Sequence, residues 1–366
     1  MISAPVRVGI IGCGMVAEEY ATTLAASPLV RLATCSDADP ARAEDFAVRH
    51  RIPVADPGSV LDPGIIDLAV ILTPPHTHHT LLLEAIAAHV PAVWSEKPLA
   101  LTPGAAAQVV AEAETAGILL GAAPDTTLGP AFMTAQEAVR SGRIGTVLSA
   151  TATLLSTGPE RWHPSPEPFY AAGAGPLGDM GPYYLAALDE LLGPLQVHAA
   201  MAHTRAARTI RSGPAAGKRF TAHAPTHISA LLTTAEGVPT TLTASFDAAA
   251  TRTPRIEVQG TRGALVLPDP NFHTGDVLFA EYGTFAWEAL PPAAPAPQMT
   301  GRGMGVVDLA TALITGNAPA CTGARAARVA ALSDDILRAA TRSDRGLLTT
   351  PRRPTAASAT IKESTR

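Results

Sequence analysis

Lysine is scarce in this sequence, and so is charge of either sign. Only three of its 27 basic residues are lysines, at Lys97, Lys218 and Lys362, and charged residues make up 16% of the chain. The formal net charge is -5 and the sequence pI is about 6.1. This weak acidity gives no reason to expect nucleic acid or an anionic membrane surface as a partner.

Cysteine is equally rare. Cys13, Cys35 and Cys321 form no C-x-x-C pair and are odd in number, which argues against a disulfide framework and a zinc site. The apolar run at residues 6–16 contains three glycines and leads directly into acidic residues, unlike a signal peptide. No apolar run approaches the length of a membrane span. We therefore expect a cytoplasmic protein with buried thiols and no membrane partner.

The length of 366 residues, 47% of them hydrophobic, fits two packed domains. Residues 1–123 alternate short apolar runs with alanine-rich stretches of helical character, which predicts a doubly wound parallel sheet, a Rossmann domain that binds a dinucleotide. The predicted strands are 6–11, 31–35, 68–72, 92–94 and 118–122. The predicted helices are 15–26, 40–50, 77–88 and 103–116.

Residues 124–350 have a different texture and predict an α+β domain with a mostly antiparallel open sheet. Threonine- and valine-rich runs predict strands at 147–155, 227–234, 240–245, 255–260 and 264–267. Helices are predicted at 179–192, 306–315 and 324–341. The prolines at 291–297 predict an exposed extended segment, and residues 351–366 have the composition of a disordered tail.

The first motif with chemical content joins the first strand to the first helix. Gly12 would allow the tight turn, Gly14 would let the backbone approach a pyrophosphate, and the start of the helix at Met15 and Val16 would supply the anion site. Asp37 ends the second strand, where a carboxylate accepts hydrogen bonds from ribose hydroxyls and favours NAD over NADP. A glycine turn without a ligand and a methyltransferase-type nucleotide site are the alternatives.

Two further motifs follow the third and fourth strands, whose ends should face the cofactor crevice. Thr73, Pro74 and His78 come after the third strand. A metal site using the neighbouring histidines is an alternative, but their spacing does not converge on one point. Glu96 and Lys97 come after the fourth strand, and an ammonium there can hold a substrate oxygen and stabilise alkoxide character as hydride leaves. The alternative is that Lys97 is a surface lysine without a catalytic role.

Together these motifs resemble the glucose–fructose oxidoreductase / inositol dehydrogenase (Gfo/Idh/MocA) family of NAD(P)-dependent sugar oxidoreductases. The resemblance covers the chain to about residue 350, and the Glu-Lys-Pro turn at residues 96–98 is its most specific mark. It implies that Lys97 borders both nicotinamide and substrate. It also implies that the open sheet of the second domain forms the interface of a homodimer or homotetramer.

The resemblance further implies a catalytic aspartate and, four residues later, a histidine. Asp179 matches the aspartate, whereas Tyr183 occupies the histidine position, as in glucose–fructose oxidoreductase itself and the dihydrodiol dehydrogenases. Pro182 must lie in the first turn of a helix, so we predict that one helix starts near Asp179 and presents both residues on one face. If Lys97 and Tyr183 meet, we expect the pKa of Tyr183 to fall towards the working range. A packed core tyrosine is the alternative.

Candidate substrate ligands are less specific. Trp162 and His163 lie in a loop ahead of the catalytic helix and carry groups that grip polyols, although a structural loop would have the same sequence. Asp125 lies in the run 123–126, where many family members carry asparagine and arginine. The missing cation argues against a substrate with an anion at that point.

The sequence thus predicts an enzyme that transfers a hydride between NAD, or NADP, and a carbinol carbon of a sugar, sugar derivative or cyclic polyol. Lys97 and Tyr183 would share the reacting oxygen, and Asp179 would orient a neighbouring hydroxyl. The alternative is a nicotinamide-binding sensor or scaffold of the same fold without turnover. No metal is expected.

Overall fold

The structure, a computed structural model, describes residues 5–56, 58–293 and 300–347. The predicted tail at 351–366 lies outside the described residues, and so do residues 294–297 of the predicted proline-rich segment. Within the described ranges no helix is both long enough and apolar enough to cross a membrane. The expected cytoplasmic location stays a prediction.

The N-terminal part is a five-stranded parallel sheet with helices between consecutive strands, which confirms the predicted Rossmann fold. Its strands are β1 Val6–Ile11, β2 Val30–Ser36, β3 Leu68–Ile71, β4 Ala92–Ser95 and β5 Leu119–Ala122. Its helices are α1 Met15–Ala25, α2 Pro40–His50, α3 Pro75–Ala87 and α4 Pro103–Ala116. Every residue of β3 and β4 is buried, because helices cover both faces of a parallel sheet.

The strand order is β2-β1-β3-β4-β5. β1 therefore has β2 on one side and β3 on the other, so the chain reverses its direction of travel across the sheet at β1. In open α/β sheets ligands bind outside the carboxyl ends of the strands at such a switch point. Gly12, Asp37 and Thr73 all follow carboxyl ends next to this point.

The second part is an eight-stranded sheet with helices on one face, the predicted α+β architecture. Its strands are β6 Val147–Leu155, β7 Leu195–His203, β10 His227–Thr234, β11 Pro239–Ser245, β12 Ile256–Gly260, β13 Gly263–Leu267, β14 Leu278–Glu281 and β15 Glu288–Ala289; the hairpin β8 Ala207–Thr209 and β9 Arg219–Thr221 lies apart. The order is β15-β14-β13-β12-β6-β11-β10-β7, and only β6 and β11 pair in parallel among these strands. Its helices are α5 Pro130–Arg140, α6 Gly175–Asp179, α7 Gly181–Leu192 and α9 Gly323–Leu347, while α8 Met304–Thr315 lies elsewhere.

The predicted single helix at 179–192 is wrong in one respect. The chain forms two helices, with Met180 between α6 and α7, so Asp179 ends the first while Tyr183 lies in the first turn of the second. Pro182 is in the first turn of α7, as predicted. A proline lacks an N–H and its ring collides with the preceding turn, so a continuous helix through this position is unfavourable.

Helix α8 returns the chain to the parallel sheet after the second sheet is complete. It packs against α1, β4 and β5, and its residues share a core with Trp94. A Cβ at Gly305 would lie 2.1 Å from a ring carbon of Trp94, so the helix approaches the indole as closely as glycine permits. The division at residue 123 does not anticipate this return, and the domain boundaries predicted from the sequence remain a proposal.

Candidate active site

The turn between β1 and α1 is shaped to receive a phosphate group. Gly12 has a φ of 96° and a Cβ there would lie 2.8 Å from the carbonyl carbon of Leu72, so only glycine fits. A Cβ at Gly14 would meet nothing within 4 Å, which leaves open space beside the backbone. Helix α1 begins at Met15 without a side-chain cap. An uncapped helix start beside open space fits the pyrophosphate of a dinucleotide.

Asp37 follows β2 beside the glycine turn and is firmly held. One carboxylate oxygen accepts from the backbone N–H of Cys13 at 2.8 Å and the other from the N–H of Asp39 at 2.8 Å. Arg42 lies 3.3 Å from the same carboxylate and is half exposed. Asp37 therefore holds the glycine turn through the N–H of Cys13, and its carboxylate also pairs with the exposed guanidinium of Arg42.

The end of β3 brings Thr73 and Pro74 to the same edge, but His78 is not available to a cofactor. Its side chain is fully buried, with Nδ1 2.7 Å from the carbonyl oxygen of Pro98 and Nε2 2.8 Å from that of Thr73. Both ring nitrogens are occupied by backbone. The prediction that His78 binds cofactor is corrected: His78 ties the ends of β3 and β4 together.

Glu96 and Lys97 follow β4 and are positioned by different neighbours. The Glu96 carboxylate accepts from the hydroxyl of Tyr20 at 2.9 Å and from the backbone N–H of Lys97 at 2.9 Å. Tyr20 in turn accepts from the indole N–H of Trp94 at 3.0 Å. These hydrogen bonds fix the backbone of the Glu-Lys-Pro turn, from which the Lys97 side chain extends.

Lys97, Asp179 and Tyr183 meet, although they come from distant parts of the chain. Lys97 Nζ donates to a carboxylate oxygen of Asp179 at 2.9 Å and to its backbone carbonyl at 2.6 Å. The same Nζ lies 5.5 Å from the centre of the Tyr183 ring. The side chains of Lys97 and Asp179 are 18% and 22% exposed, so the pair is shielded from bulk water while one side stays accessible.

Electrostatics keep both Lys97 and Tyr183 protonated at neutral pH. Burial lowers the pKa of Lys97, but the pKa stays above its usual value, raised by the charges of Asp179 and Glu96 and by the hydrogen bond to Asp179. Burial raises the pKa of Tyr183, and the opposing effects of Lys97 and Arg302 do not cancel that rise. The expectation that the pKa of Tyr183 falls is therefore wrong in sign, because desolvation disfavours the phenolate more than the cations favour it.

Arg302 is the site residue that sequence reasoning missed. Its Nη1 donates to the Tyr183 hydroxyl at 2.7 Å and its Nη2 to Asn271 Oδ1 at 3.1 Å. Its Nε lies 3.1 Å from a carboxylate oxygen of Glu19. The only local signal is its place in the glycine-rich run 301–305, just ahead of an apolar helix.

Asp125 is not directed at a substrate. It is 1% exposed, and one carboxylate oxygen accepts from the backbone N–H groups of Gly303 and Gly305 at 2.8 and 3.0 Å. The other oxygen lies 3.3 Å from Nε2 of His273. Because Asp125 is buried and one of its oxygens is taken by two backbone N–H groups, the predicted ligand role is corrected: Asp125 anchors the start of α8.

A cleft of about 660 Å³ opens beside Lys97 and Asp179. Its walls come from the starts of α3 and α4, from α9 and from the loop ahead of α6, and most lining side chains are apolar. Phe169 lines the cleft, whereas Trp162 and His163 do not; the centres of their rings lie 6.2 and 5.0 Å from the centre of the Phe169 ring. Their contacts with substrate stay a prediction.

The histidines at the start of α3, His76, His78 and His79, have different surroundings. His76 lines the cleft, and His79 Nε2 lies 3.1 Å from Gln108. Across residues 5–56, 58–293 and 300–347 no group of three or more histidine, cysteine, aspartate or glutamate side chains could hold a metal ion.

Comparison with known families agrees with this geometry. Residues 6–123 match the oxidoreductase family with an NAD-binding Rossmann fold, and residues 132–266 match the GFO/IDH/MocA C-terminal domain. The two matches together cover more than half of the chain. The chain belongs to the GFO/IDH/MocA oxidoreductase family. The resemblance, the fold class and the nicotinamide-binding domain predicted from the sequence are thereby confirmed.

Individual relatives differ in how far they match. Inositol 2-dehydrogenase of Acidothermus cellulolyticus is 34% identical over 154 residues, 40% of this chain and 43% of that protein. The chain thus matches less than half the length of that relative. Trans-1,2-dihydrobenzene-1,2-diol dehydrogenase of Bos taurus is 26% identical over 82% of this chain and 84% of that protein. A levoglucosan dehydrogenase structure in complex with NADH has a TM-score of 0.78 at 21% identity, over 92% of this chain and 97% of that one.

Proposed function

We propose that this protein is a nicotinamide-dependent oxidoreductase that interconverts a carbinol and a carbonyl on an uncharged sugar, sugar derivative or cyclic polyol. The observation that carries the proposal is the meeting of Lys97, Asp179 and Tyr183 at the carboxyl edge of the parallel sheet. An ammonium, a carboxylate and a phenol from separate elements are the groups that this chemistry requires; the Lys97 and Asp179 side chains are partly exposed, whereas Tyr183 is buried.

The cofactor would lie along the carboxyl edge, with its pyrophosphate at Gly14 and Met15, its adenosine ribose at Asp37 and its nicotinamide near Glu96 and Lys97. When bound, it supplies or accepts the hydride. The open space beside Gly14 and the uncapped start of α1 support this placement.

Each protein group has a distinct task. Lys97 would donate a hydrogen bond to the reacting oxygen and stabilise negative charge on it. Tyr183 would pass its proton to that oxygen during reduction and take it back during oxidation. Asp179 would hold the Lys97 ammonium and accept a hydrogen bond from a neighbouring substrate hydroxyl.

The cleft supports an uncharged substrate. Lys97 is the single cationic side chain other than histidine among the described residues that line it, and it is already paired with Asp179. A carboxylate or a diphosphate on the substrate would therefore lack a partner. The match to a dihydrodiol dehydrogenase over most of the chain agrees with a cyclic diol or its ketone.

The test is to follow the absorbance of NADH while a panel of uncharged ketoses, cyclic hydroxyketones and sugar acids is added to the purified protein. Oxidation of NADH with uncharged ketones, and loss of that activity in Lys97→Met, would support the proposal. Binding of NADH without turnover of any substrate, in either direction, would favour the sensor or scaffold.

We also propose a homodimer or homotetramer through the outer face of the second sheet. Met201 and Leu231 on the adjacent strands β7 and β10 are 61% and 55% exposed on this face. Large apolar side chains on the uncovered face of a sheet are typical of an interface. Light scattering in solution measures the assembly, and a monomeric mass would contradict it.

A further inference from the structure

Within the described part of the chain, the hydroxyl of Tyr183 has a fixed hydrogen-bond donor and no acceptor. Arg302 Nη1 lies 2.7 Å from the hydroxyl oxygen. A guanidinium has N–H donors and no acceptor, so the oxygen of Tyr183 must accept this hydrogen bond and its own proton must point elsewhere. Among the residues that the structure describes, no side chain or carbonyl accepts that proton.

Arg302 is held in one orientation by partners from three elements. Besides Tyr183 on α7, it donates to Asn271, which follows β13, and pairs with Glu19 on α1. Its side chain is 19% exposed. A side chain held through three nitrogens has lost its rotamer freedom, so it can fix the direction of a hydrogen bond.

The backbone that carries Arg302 is equally constrained. Asp125 binds the N–H groups of Gly303 and Gly305, directly after Arg302, and Gly305 lies against Trp94. Burial opposes the charge of Asp125, but His273 and the two backbone N–H groups outweigh it and hold the pKa of Asp125 below its usual value. The anchor therefore stays ionised at neutral pH.

We propose that Arg302 is a positioning residue: it occupies the oxygen of Tyr183 and so directs the phenolic proton at the substrate, which sets the site for carbonyl reduction at neutral pH. This inference rests on the proposed function. In the reductive step the carbonyl carbon would receive the hydride that a reduced nicotinamide, held near Glu96 and Lys97, would supply, and the electron pair of the C=O π bond would move to oxygen. That oxygen takes the proton of Tyr183, and the resulting phenolate faces Arg302 and Lys97 until water reprotonates it.

The charges around Tyr183 agree with this direction. Lys97 after β4 and Arg302 ahead of α8 favour the phenolate, whereas Glu96 and burial oppose it, and the net effect raises the pKa of Tyr183. Asp179 and Glu19 face the two cations and are paired with them. Tyr183 is therefore a proton donor at neutral pH, while alcohol oxidation must first remove its proton.

The test compares Arg302→Met, Arg302→Gln and Arg302→Lys with the wild-type protein and with Tyr183→Phe. We expect Arg302→Met to lower kcat for reduction by roughly 10- to 100-fold with a KM within about threefold, since only proton delivery is impaired. The same change in the Tyr183→Phe background should cost less than about twofold more, because Arg302 acts through the hydroxyl. Arg302→Gln keeps a donor and Arg302→Lys keeps the charge, so each should recover part of kcat.

The pH profile separates positioning from a general structural effect. Removing the Arg302 cation raises the pKa of Tyr183 further, so the rise of oxidation rate with pH should move to higher pH in Arg302→Met and towards its original place in Arg302→Lys. Arg143→Met is the matched control. This arginine also lies over an aromatic ring, 4.5 Å from the centre of Phe279, and 3.3 Å from Glu288, at the β14–β15 edge of the second sheet.

Two outcomes would overturn the inference without touching the proposed function: unchanged kcat in Arg302→Met while Tyr183→Phe is slow, or equal losses from Arg302→Met in the wild-type and Tyr183→Phe backgrounds. Full activity of Tyr183→Phe alone would instead overturn the proton role of Tyr183. If Arg302→Met does not fold, Arg302→Gln and Arg302→Lys carry the same comparison.

Discussion

Two ion pairs lie at the carboxyl edge of the parallel sheet, and they differ in sequence separation and in exposure to water. Asp37 and Arg42 are five positions apart, lie 3.3 Å from each other, and leave Arg42 52% exposed. Lys97 and Asp179 are separated by 82 positions, lie 2.9 Å apart and are 18% and 22% exposed. In the first pair, which is local in the sequence, the arginine is exposed to water while the Asp37 carboxylate is 6% exposed; in the second pair, which the fold brings together, both side chains are largely shielded.

The difference assigns the two pairs to different tasks. The exposed guanidinium of Arg42 is screened by water, so its interaction with Asp37 contributes about 0–1 kcal/mol, enough to bias the choice between two cofactors. A shielded pair acts in a lower dielectric, where a charge affects a reacting oxygen much more strongly. We therefore expect changes at Lys97 to act on rate and changes at Arg42 to act on binding preference.

The largest expected effect is at Lys97. Lys97→Met should lower kcat by about 10³-fold or more, because it removes both stabilisation of the oxyanion and management of the proton. The dissociation constant of NADH, from fluorescence titration, should change by less than about threefold. Lys218→Met is the control, since Lys218 is 67% exposed and lies 3.8 Å from Glu167. Retention of more than about a tenth of the activity would remove Lys97 from the mechanism.

Tyr183 should show the next largest effect. Tyr183→Phe keeps the ring and removes the hydroxyl, so we expect a loss of about 10²-fold in kcat with cofactor affinity intact. Tyr184→Phe is the matched control: this neighbouring tyrosine is fully buried and lies 3.3 Å from Asp269. It should lose stability and keep kcat. Tyr183→His should restore part of the activity with the pH profile moved down. Equal kcat values for the two phenylalanine variants would make Tyr183 a packing residue.

The fold was predictable wherever burial is continuous. β3 and β4 are short apolar runs buried along their whole length, and their sequences indicate buried parallel strands directly. β7 was missed because it is mostly exposed and its alternation is weak. α5 was missed although Pro130 at its first turn is a usual start signal. Pro182 predicted a helix start near Asp179, whereas α7 begins at Gly181, two residues later.

The candidate site was predictable only where a motif carries it. The Glu-Lys-Pro turn and the spacing of Asp179 and Tyr183 could be found in the sequence, whereas Arg302 reaches Tyr183 across 119 positions and no periodicity joins them. His78 and Asp125 have residue types that suit ligands, yet backbone groups occupy both. The pKa of Tyr183 depends on burial, which is a property of the packed molecule.

The pH dependence sharpens the contrast between the two directions of reaction. The pKa of Tyr183 is raised above its usual value of about 10, and the neutral form is the proton donor. The ionisation of Tyr183 should therefore leave the rate of reduction unchanged from about pH 6 to 9. The rate of oxidation should rise about tenfold per pH unit below the pKa. Initial rates in both directions across that range measure it. A plateau of the oxidation rate near the usual histidine value of about 6.5 would assign the proton to another group.

The smallest expected effect concerns the choice between NAD and NADP at the pair of Asp37 and Arg42. The Asp37 carboxylate should repel a 2′-phosphate and make NAD the preferred cofactor, while Arg42, 3.3 Å away, should preserve weak binding of NADP. Arg42→Ala should weaken NADPH binding about fivefold, which corresponds to about 1 kcal/mol, and leave NADH binding unchanged. Arg49→Ala is the control, because Arg49 lies on the same helix, is 51% exposed and pairs with Glu18 instead. Fluorescence titration with both reduced cofactors decides the matter: tighter binding of NADPH than NADH by the wild-type protein would reverse the assignment of Asp37, and an equal loss for both cofactors in Arg42→Ala would place Arg42 at a part of the crevice that the two cofactors share.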